Sequence, residues 1–234
     1  LKILVVAGPP SVGKTSVIRH IIKEFLNSSP SFLKIDVVRA FEDEELHKEF
    51  GINTKKVYSG DLCPDHTEVM IMRDAIDWAE SNKSNLLIIE SAGLCLRCTP
   101  YITQSFGIAV VSAVSGSNTP LKMAPMIALA DAVVVTKVDL ISQAEKEVFR
   151  ECIRKVTMSI DIVETNAVHG TGMRYLMKAI NKSEEVVDKN TIQLRGIPPL
   201  GVCTICVGKK DIGWQSHSGV IRKLNDADNI YRGD

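Results

Sequence analysis

The sequence has no surplus of either charge: 28 lysines and arginines stand against 28 aspartates and glutamates, for a net charge of zero. That balance argues against a nucleic-acid partner or a polybasic membrane contact, since both need a basic footprint. No apolar run approaches the roughly 20 residues of a membrane span, and no secretory leader is visible. The expected location is therefore the cytoplasm. There, six cysteines are poor material for structural disulfides, and paired ones bind metal or do redox work. With 234 residues, 45% of them hydrophobic, the chain can bury one full α/β core and carry an appendage.

What the chain does have is organised around Gly8-Pro9-Pro10-Ser11-Val12-Gly13-Lys14-Thr15, a match to the P-loop pattern GxxxxGK[ST]. The apolar run Ile3–Ala7 enters it and reads as a buried parallel strand. An amphipathic pattern leaves it, with Val17, Ile18, Ile21, Ile22, Phe25 and Leu26 on one face. Backbone N–H groups of such a loop, and the helix N-terminus behind it, face a phosphate chain. Gly8 and Gly13 allow the close turn, Lys14 neutralises the β/γ-phosphates, and the Thr15 hydroxyl ligates Mg²⁺. Ser16 completes the expected nucleotide-binding set.

Further strands are expected at Phe32–Val38, Lys55–Tyr58, Asn85–Gly93, Gly107–Val114, Ala132–Val135 and Asp161–Val163. Helices are expected near 42–50, 67–80, 142–156 and 173–180. Strand Asn85–Gly93 ends in Glu90-Ser91-Ala92-Gly93, an acid followed by a glycine. In a P-loop nucleotidase such an acid organises the Mg²⁺ shell and the glycine N–H meets the γ-phosphate. After the next strand but one comes Thr136-Lys137-Val138-Asp139. This [NT]KxD motif reads guanine, because the Asp139 carboxylate accepts both N1–H and the exocyclic amine, a donor pair adenine lacks. Ala167, after the last strand, offers a backbone N–H to a base. Ser142 and Glu145 form a capping box, and Cys152 falls on an apolar helix face as a core thiol.

Composition shifts at Lys182–Asn190, so residues 1–182 are assigned to the nucleotide domain and 183–234 to an appendage too small to fold well without a staple. Two CxxC pairs, Cys95/Cys98 and Cys203/Cys206, could together hold tetrahedral Zn²⁺ or an iron–sulfur cluster. Their wide separation leaves open whether they meet in one chain, across a dimer, or only as a structural staple. Cys63 and His66 form a second-rank site suited to nickel or zinc. His20, His47, His169 and His217 show no ligand spacing and are expected to make local hydrogen bonds.

With these residues assembled, the chain resembles the metallochaperone GTPases of hydrogenase maturation, urease activation and cobalamin metabolism. The resemblance spans most of residues 1–182. It rests on the P-loop, Cys63-Pro64 with His66, Glu90–Gly93, the stretch Val114–Pro120 with Lys122, Asp131, and Thr136–Asp139. It implies a P-loop α/β fold, a mostly parallel sheet with helices on both faces. It also implies a nucleotide-dependent homodimer and a client metalloenzyme or its maturation factor. An acidic switch residue after the second strand is a family feature, and Asp36 is its best match, ahead of Glu42 and Asp43. In the urease member a Cys-Pro-His signature ligates nickel or zinc at the dimer interface; here Asp65 stands between Pro64 and His66.

The leading expectation is a slow GTPase that couples GTP binding and hydrolysis to delivery of a metal or metallocofactor. Lys14, Asp36 and Glu90 carry the chemistry, with Thr15 and Asp36 on Mg²⁺. No arginine finger stands out, although Arg97 could serve. An ATP-dependent iron–sulfur carrier is the second reading, but it would place an extra lysine where Pro9, Pro10 and Ser11 stand. A metal- or redox-sensing nucleotide switch is the third. A small-molecule kinase is weaker, since no arginine-rich lid is visible.

Overall fold

The computed structural model describes residues 1–93, 101–197 and 208–231. In chain order the elements are β1 (Lys2–Ala7), α1 (Lys14–Glu24), β2 (Pro30–Asp36), α2 (Glu42–Phe50), β3 (Asn53–Tyr58), α3 (Pro64–Ser81) and β4 (Leu86–Glu90). They continue with β5 (Phe106–Ser112), α4 (Thr119–Lys122), α5 (Ala124–Ala128), β6 (Ala132–Thr136), α6 (Gln143–Arg154), β7 (Asp161–Glu164) and α7 (Met173–Lys182). The strands make one seven-stranded sheet in the order β3-β2-β4-β1-β5-β6-β7. Every pairing is parallel.

Parallel strands need both faces covered, so each strand reads as a continuous apolar run whose side chains alternate between two cores. Leu4, Val6, Phe32, Ile88, Ile108 and Val134 point to the face covered by α1 and α7, meeting Val17, Ile18, Ile21, Leu176 and Ile180. Ile3, Val5, Leu33, Ile89, Val111 and Val133 point to the opposite face, meeting Ile71, Ala75 and Ile76 of α3 with Phe149 and Ile153 of α6. Among the described residues no helix is long and apolar enough to cross a membrane.

Element ends differ from the pattern in ways that have local causes. β4 stops at Glu90 and β5 at Ser112, where residues 113–115 turn into a 3₁₀ helix. The helix expected from about Thr67 begins at Pro64, with Cys63 as its N-cap. Proline at the first helical position lacks an N–H that would have no partner there, so Cys-Pro opens the helix rather than preceding it. The Ser142–Glu145 capping box is present, and Cys152 is buried.

Beyond α7 the chain stays on the α3 face. Ile192, Leu194, Ile212 and Leu224 are buried in the same core as α3. Trp214 donates its indole N–H to Asp74 at 3.2 Å, and Gly213 N–H reaches the Val69 carbonyl at 2.9 Å. Arg195 ties the tail to the lower end of the sheet. Its guanidinium donates to the carbonyls of Ile102 (3.0 Å), Leu129 (2.9 Å) and Ser105 (2.5 Å), and pairs with Asp131 at 2.7 Å.

Candidate nucleotide and metal site

The P-loop sits where β1 delivers its carboxyl end, beside the carboxyl ends of β4, β5 and β6. Neither Gly8 nor Gly93 has room for a side chain. A Cβ on Gly8 would lie 2.2 Å from the Val110 carbonyl oxygen, and one on Gly93 would lie 1.7 Å from the Gly8 oxygen. Gly93 also holds a left-handed backbone, with φ +71°. Lys14 folds back over its own loop and donates to the carbonyls of Gly8 (2.9 Å) and Pro9 (3.1 Å). Burial lowers its pKa, while the nearby Glu90 carboxylate pulls the other way. The expected phosphate-sensing pieces, the loop and Gly93, are thus in direct contact.

Thr15 opens the second turn of contacts. Its hydroxyl lies 3.2 Å and 3.4 Å from the two Glu90 oxygens. Glu90 is buried, and β2 and β4 run in a register that pairs it with Lys34. The Lys34 ammonium lies 2.7 Å from Glu90 Oε1, 3.4 Å from Asp36 Oδ2 and 3.7 Å from Glu42 Oε1. Burial works against that charge, but the carboxylates, Glu90 first, outweigh it and the Lys34 pKa is raised. Asp36 also accepts the Val37 N–H at 2.8 Å. A hydroxyl and carboxylates converging beside a phosphate loop are the hard oxygen donors that Mg²⁺ takes, so the donor set fits that ion. The motif reading missed Lys34; the signal was a lone charge inside the apolar run Phe32-Leu33-Lys34-Ile35.

The base motif is tied to the same loop. Thr136 donates its hydroxyl to the Val12 carbonyl at 2.6 Å, and Lys137 reaches the Ser11 carbonyl at 3.0 Å. Beside them lies a cavity of about 360 Å³, lined by Gly13, Ser16, Thr136, Lys137, Asp139, Asn166 and Ala167 among others. His20 holds the Ala167 carbonyl at 2.9 Å, which leaves the Ala167 backbone fixed at the cavity wall. Phosphate loop, acid and base reader therefore share one end of one sheet, the place where open α/β sheets bind ligands.

A family model described as CobW/HypB/UreG, nucleotide-binding domain, matches residues 2–164. The chain belongs to the CobW/HypB/UreG family. Across its whole length it is similar to the uncharacterized protein MJ0120 of Methanocaldococcus jannaschii, at 40% identity over 96% of this chain and 97% of that one. It is 25% identical to the hydrogenase maturation factor HypB of Escherichia coli K12, over 73% of this chain and 59% of HypB. The chain thus spans about three fifths of that relative's length. In fold it is similar to HypB from Helicobacter pylori solved in complex with nickel, with a TM-score of 0.60 and 18% identity, covering 81% of this chain and 91% of that one. The expected P-loop α/β fold and the family resemblance both hold.

In this CobW/HypB/UreG-family chain, Cys63 and His66 stand together at the amino end of α3. His217 lies closer than its sequence position indicated, its ring edge-on to His66 with centroids 5.0 Å apart. That corrects the expectation that it only makes a local hydrogen bond, which it also does, to the Asp211 carbonyl at 3.1 Å. Burial, then the neighbouring His217, lowers the His66 pKa to about 4. Asp65 and Glu68 are buried in the same turn. Asp65 is pushed up to about 7 by burial, and Glu68 is raised well above the usual range by burial and then by Asp65. Neither Glu68 oxygen has a hydrogen-bond partner among the described residues. Among the described residues no group of three or more His, Cys, Asp or Glu could hold a metal ion. Cys95, Cys98, Cys203 and Cys206, with Arg97, lie outside the described residues.

Proposed function

We propose that this protein is a cytoplasmic GTPase that couples GTP binding and hydrolysis to delivery of a metal ion or metallocofactor. Its client would be a metalloenzyme or that enzyme's maturation factor. The observation that carries the reading is the joining of the TKVD segment to the P-loop through Thr136–Val12 and Lys137–Ser11. A guanine held at Asp139 then fixes where its phosphates meet Lys14, Thr15 and Gly93. Family membership supports the same reading, because a relative bears the name hydrogenase maturation factor.

In this mechanism Lys14 leaves the Gly8 and Pro9 carbonyls and turns to the β/γ-phosphates. Thr15, Glu90 and Asp36 would hold Mg²⁺, which when bound neutralises charge developing on the phosphate oxygens. Glu90 and Asp36 orient the attacking water, and the Gly93 N–H senses the γ-phosphate. Hydrolysis removes that phosphate from beside Gly93, and Cys95 and Cys98 follow Gly93 in the sequence. Nickel is the favoured cargo, bound with help from Cys63 and His66, and a nucleotide-dependent homodimer is the favoured assembly. Zinc or an iron–sulfur cluster on Cys95, Cys98, Cys203 and Cys206 is the competing cargo. Residues 183–234 form the appendage of the nucleotide domain.

The test begins with anaerobic purification and a count of nickel, zinc, iron and acid-labile sulfide per chain. Metal-loaded protein is then mixed with a coloured chelator in GDP, GTP or a non-hydrolysable GTP analogue. Release that follows hydrolysis supports the proposal. Release at equal rates in all three nucleotides would sink the coupling.

A further inference from the structure

Lys34 belongs to none of the motifs above, yet it sits in the middle of the acid site. Its side chain is 5% exposed, and its ammonium faces Glu90 at 2.7 Å, Asp36 at 3.4 Å and Glu42 at 3.7 Å. The arrangement is built by register: Lys34 and Glu90 are neighbours on adjacent parallel strands, so both point to the α1 face. Lys14, the phosphate lysine, is a second cation that feels the same carboxylates, but its hydrogen bonds go to the Gly8 and Pro9 carbonyls, which leaves Lys34 as the ammonium paired with them. Two of the three carboxylates around Lys34 are those that would hold Mg²⁺. One buried ammonium therefore occupies the field that a divalent ion would seek. Buried charges of this kind attract strongly, and removing one partner leaves the others uncompensated.

We infer that Lys34 is a tethered counter-cation of the magnesium pocket, which keeps divalent metal out until a nucleoside triphosphate arrives. The inference rests on the nucleotide–magnesium reading of this site. Its charge logic is simple. Glu90, Asp36 and Glu42 bring three negative charges, and Lys34 cancels one of them where it stands. A free divalent ion entering the pocket must compete with that ammonium. A triphosphate adds negative charge and supplies metal ligands of its own, so the ion enters with the nucleotide as one unit. For a protein that handles other divalent ions as cargo, such exclusion would keep cargo off the nucleotide site between cycles.

The experiment measures Mn²⁺ binding to chelator-stripped, nucleotide-free protein by the electron paramagnetic resonance signal of unbound Mn²⁺. Mn²⁺ shares the preference for oxygen ligands and discriminates against thiolates. Lys34→Gln keeps a hydrogen-bonding group beside Glu90, and Lys34→Met is the second neutral variant in case either folds poorly. Lys34→Arg keeps the charge. We expect the neutral variants to gain one Mn²⁺ site at least about tenfold tighter than any in the wild type. Lys34→Arg should stay like the wild type, and Lys34→Gln/Glu90→Gln should lose the gain. A role confined to fold stability would shift melting in all of these without creating a metal site. Neutral variants that fold, bind Mg·GTP and yet take up Mn²⁺ no better than the wild type overturn the inference. Wild-type protein that fails to bind Mg·GTP overturns the nucleotide reading itself, and this inference with it.

Discussion

Lys137 donates its ammonium to the Ser11 carbonyl at 3.0 Å, and both residues hold left-handed backbones, with φ +57° and +61°. Neither is glycine, so each conformation costs about 1–2 kcal/mol. The strain is localised at the contact between the base-reading segment and the phosphate loop. Breaking that contact should matter to ligand more than to fold. Lys137→Met is expected to weaken guanine-nucleotide binding by about tenfold or more, with little change in melting temperature. Fluorescent GDP titration alongside a thermal melt would check this; equal affinity would mean the contact is incidental.

Asp139 is the residue proposed to select the base. Replacing it with alanine removes the acceptor for the N1–H and amine of guanine, a loss of two charge-assisted hydrogen bonds worth about 1.5–3 kcal/mol each. Preference for GTP over ATP should collapse by about 100-fold or more, on the scale of about tenfold per 1.4 kcal/mol. Competition of unlabelled GTP and ATP against a labelled nucleotide measures it. Unchanged discrimination would remove Asp139 from the base site.

Gly93→Ala tests the proposed γ-phosphate contact. The new Cβ would fall 1.7 Å from the Gly8 oxygen and 3.3 Å from Lys14 Nζ, at a φ of +71°. Backbone would have to move, at a cost of about 1–3 kcal/mol for the dihedral alone. We expect loss of triphosphate binding with diphosphate binding partly kept. Calorimetry with GDP and a non-hydrolysable GTP analogue would reveal a variant indifferent to this change, which would contradict the packing.

The burial of Asp65 and Glu68 should favour the fold less as pH rises, while that of His66, lowered to about 4, favours it more. Asp65 is pushed from 3.8 to about 7 by burial, and Glu68 is raised well above its usual range. Both are neutral acids in the fold and ionise on unfolding, so the folded state binds more protons. Asp65's contribution is fully present below its unfolded value of 3.8 and is lost as pH climbs through about 7, and Glu68's changes in the same direction. With a chelator present, the denaturant midpoint of Glu68→Gln, in which His66 is unchanged, should rise relative to the wild type between about pH 5 and about pH 8. A Glu68→Gln midpoint that falls relative to the wild type as pH rises would contradict the burial of Glu68.

The sheet and its ligand end were legible because their signals are local. Ile3–Ala7, Leu86–Glu90 and Ala132–Thr136 are apolar runs, and the P-loop and TKVD follow two of them directly. The β3 edge was read from Lys55 rather than Asn53, since Asn53 and Thr54 carry no apolar mark. Lys34 stayed hidden because its meaning depends on β2 lying beside β4 in a register that aligns it with Glu90. A strand sequence records which residues share a face and is silent about which strand comes next. The first turn of α3 was misjudged for another reason. Cys-Pro-Asp-His resembles a turn, and acids at a helix start usually face water, whereas here Asp65 and Glu68 are buried on a helix over which the tail packs. The approach of His217 to His66 is likewise a product of that tail.

The grip of Arg195 has a consequence for ancestry and for engineering. One guanidinium satisfies the carbonyls of Ile102, Ser105 and Leu129 and neutralises Asp131, which in turn anchors the Gly107 N–H at 2.7 Å. These are the approaches to β5 and β6, at the opposite end of the strands from the nucleotide. A copy cut back to the bare nucleotide-binding module would leave three carbonyls without their donor and one acid without its cation at its floor. A relative built without this clasp must have closed its floor with different residues, so swapping tails between the two should fail unless the floor is exchanged with them.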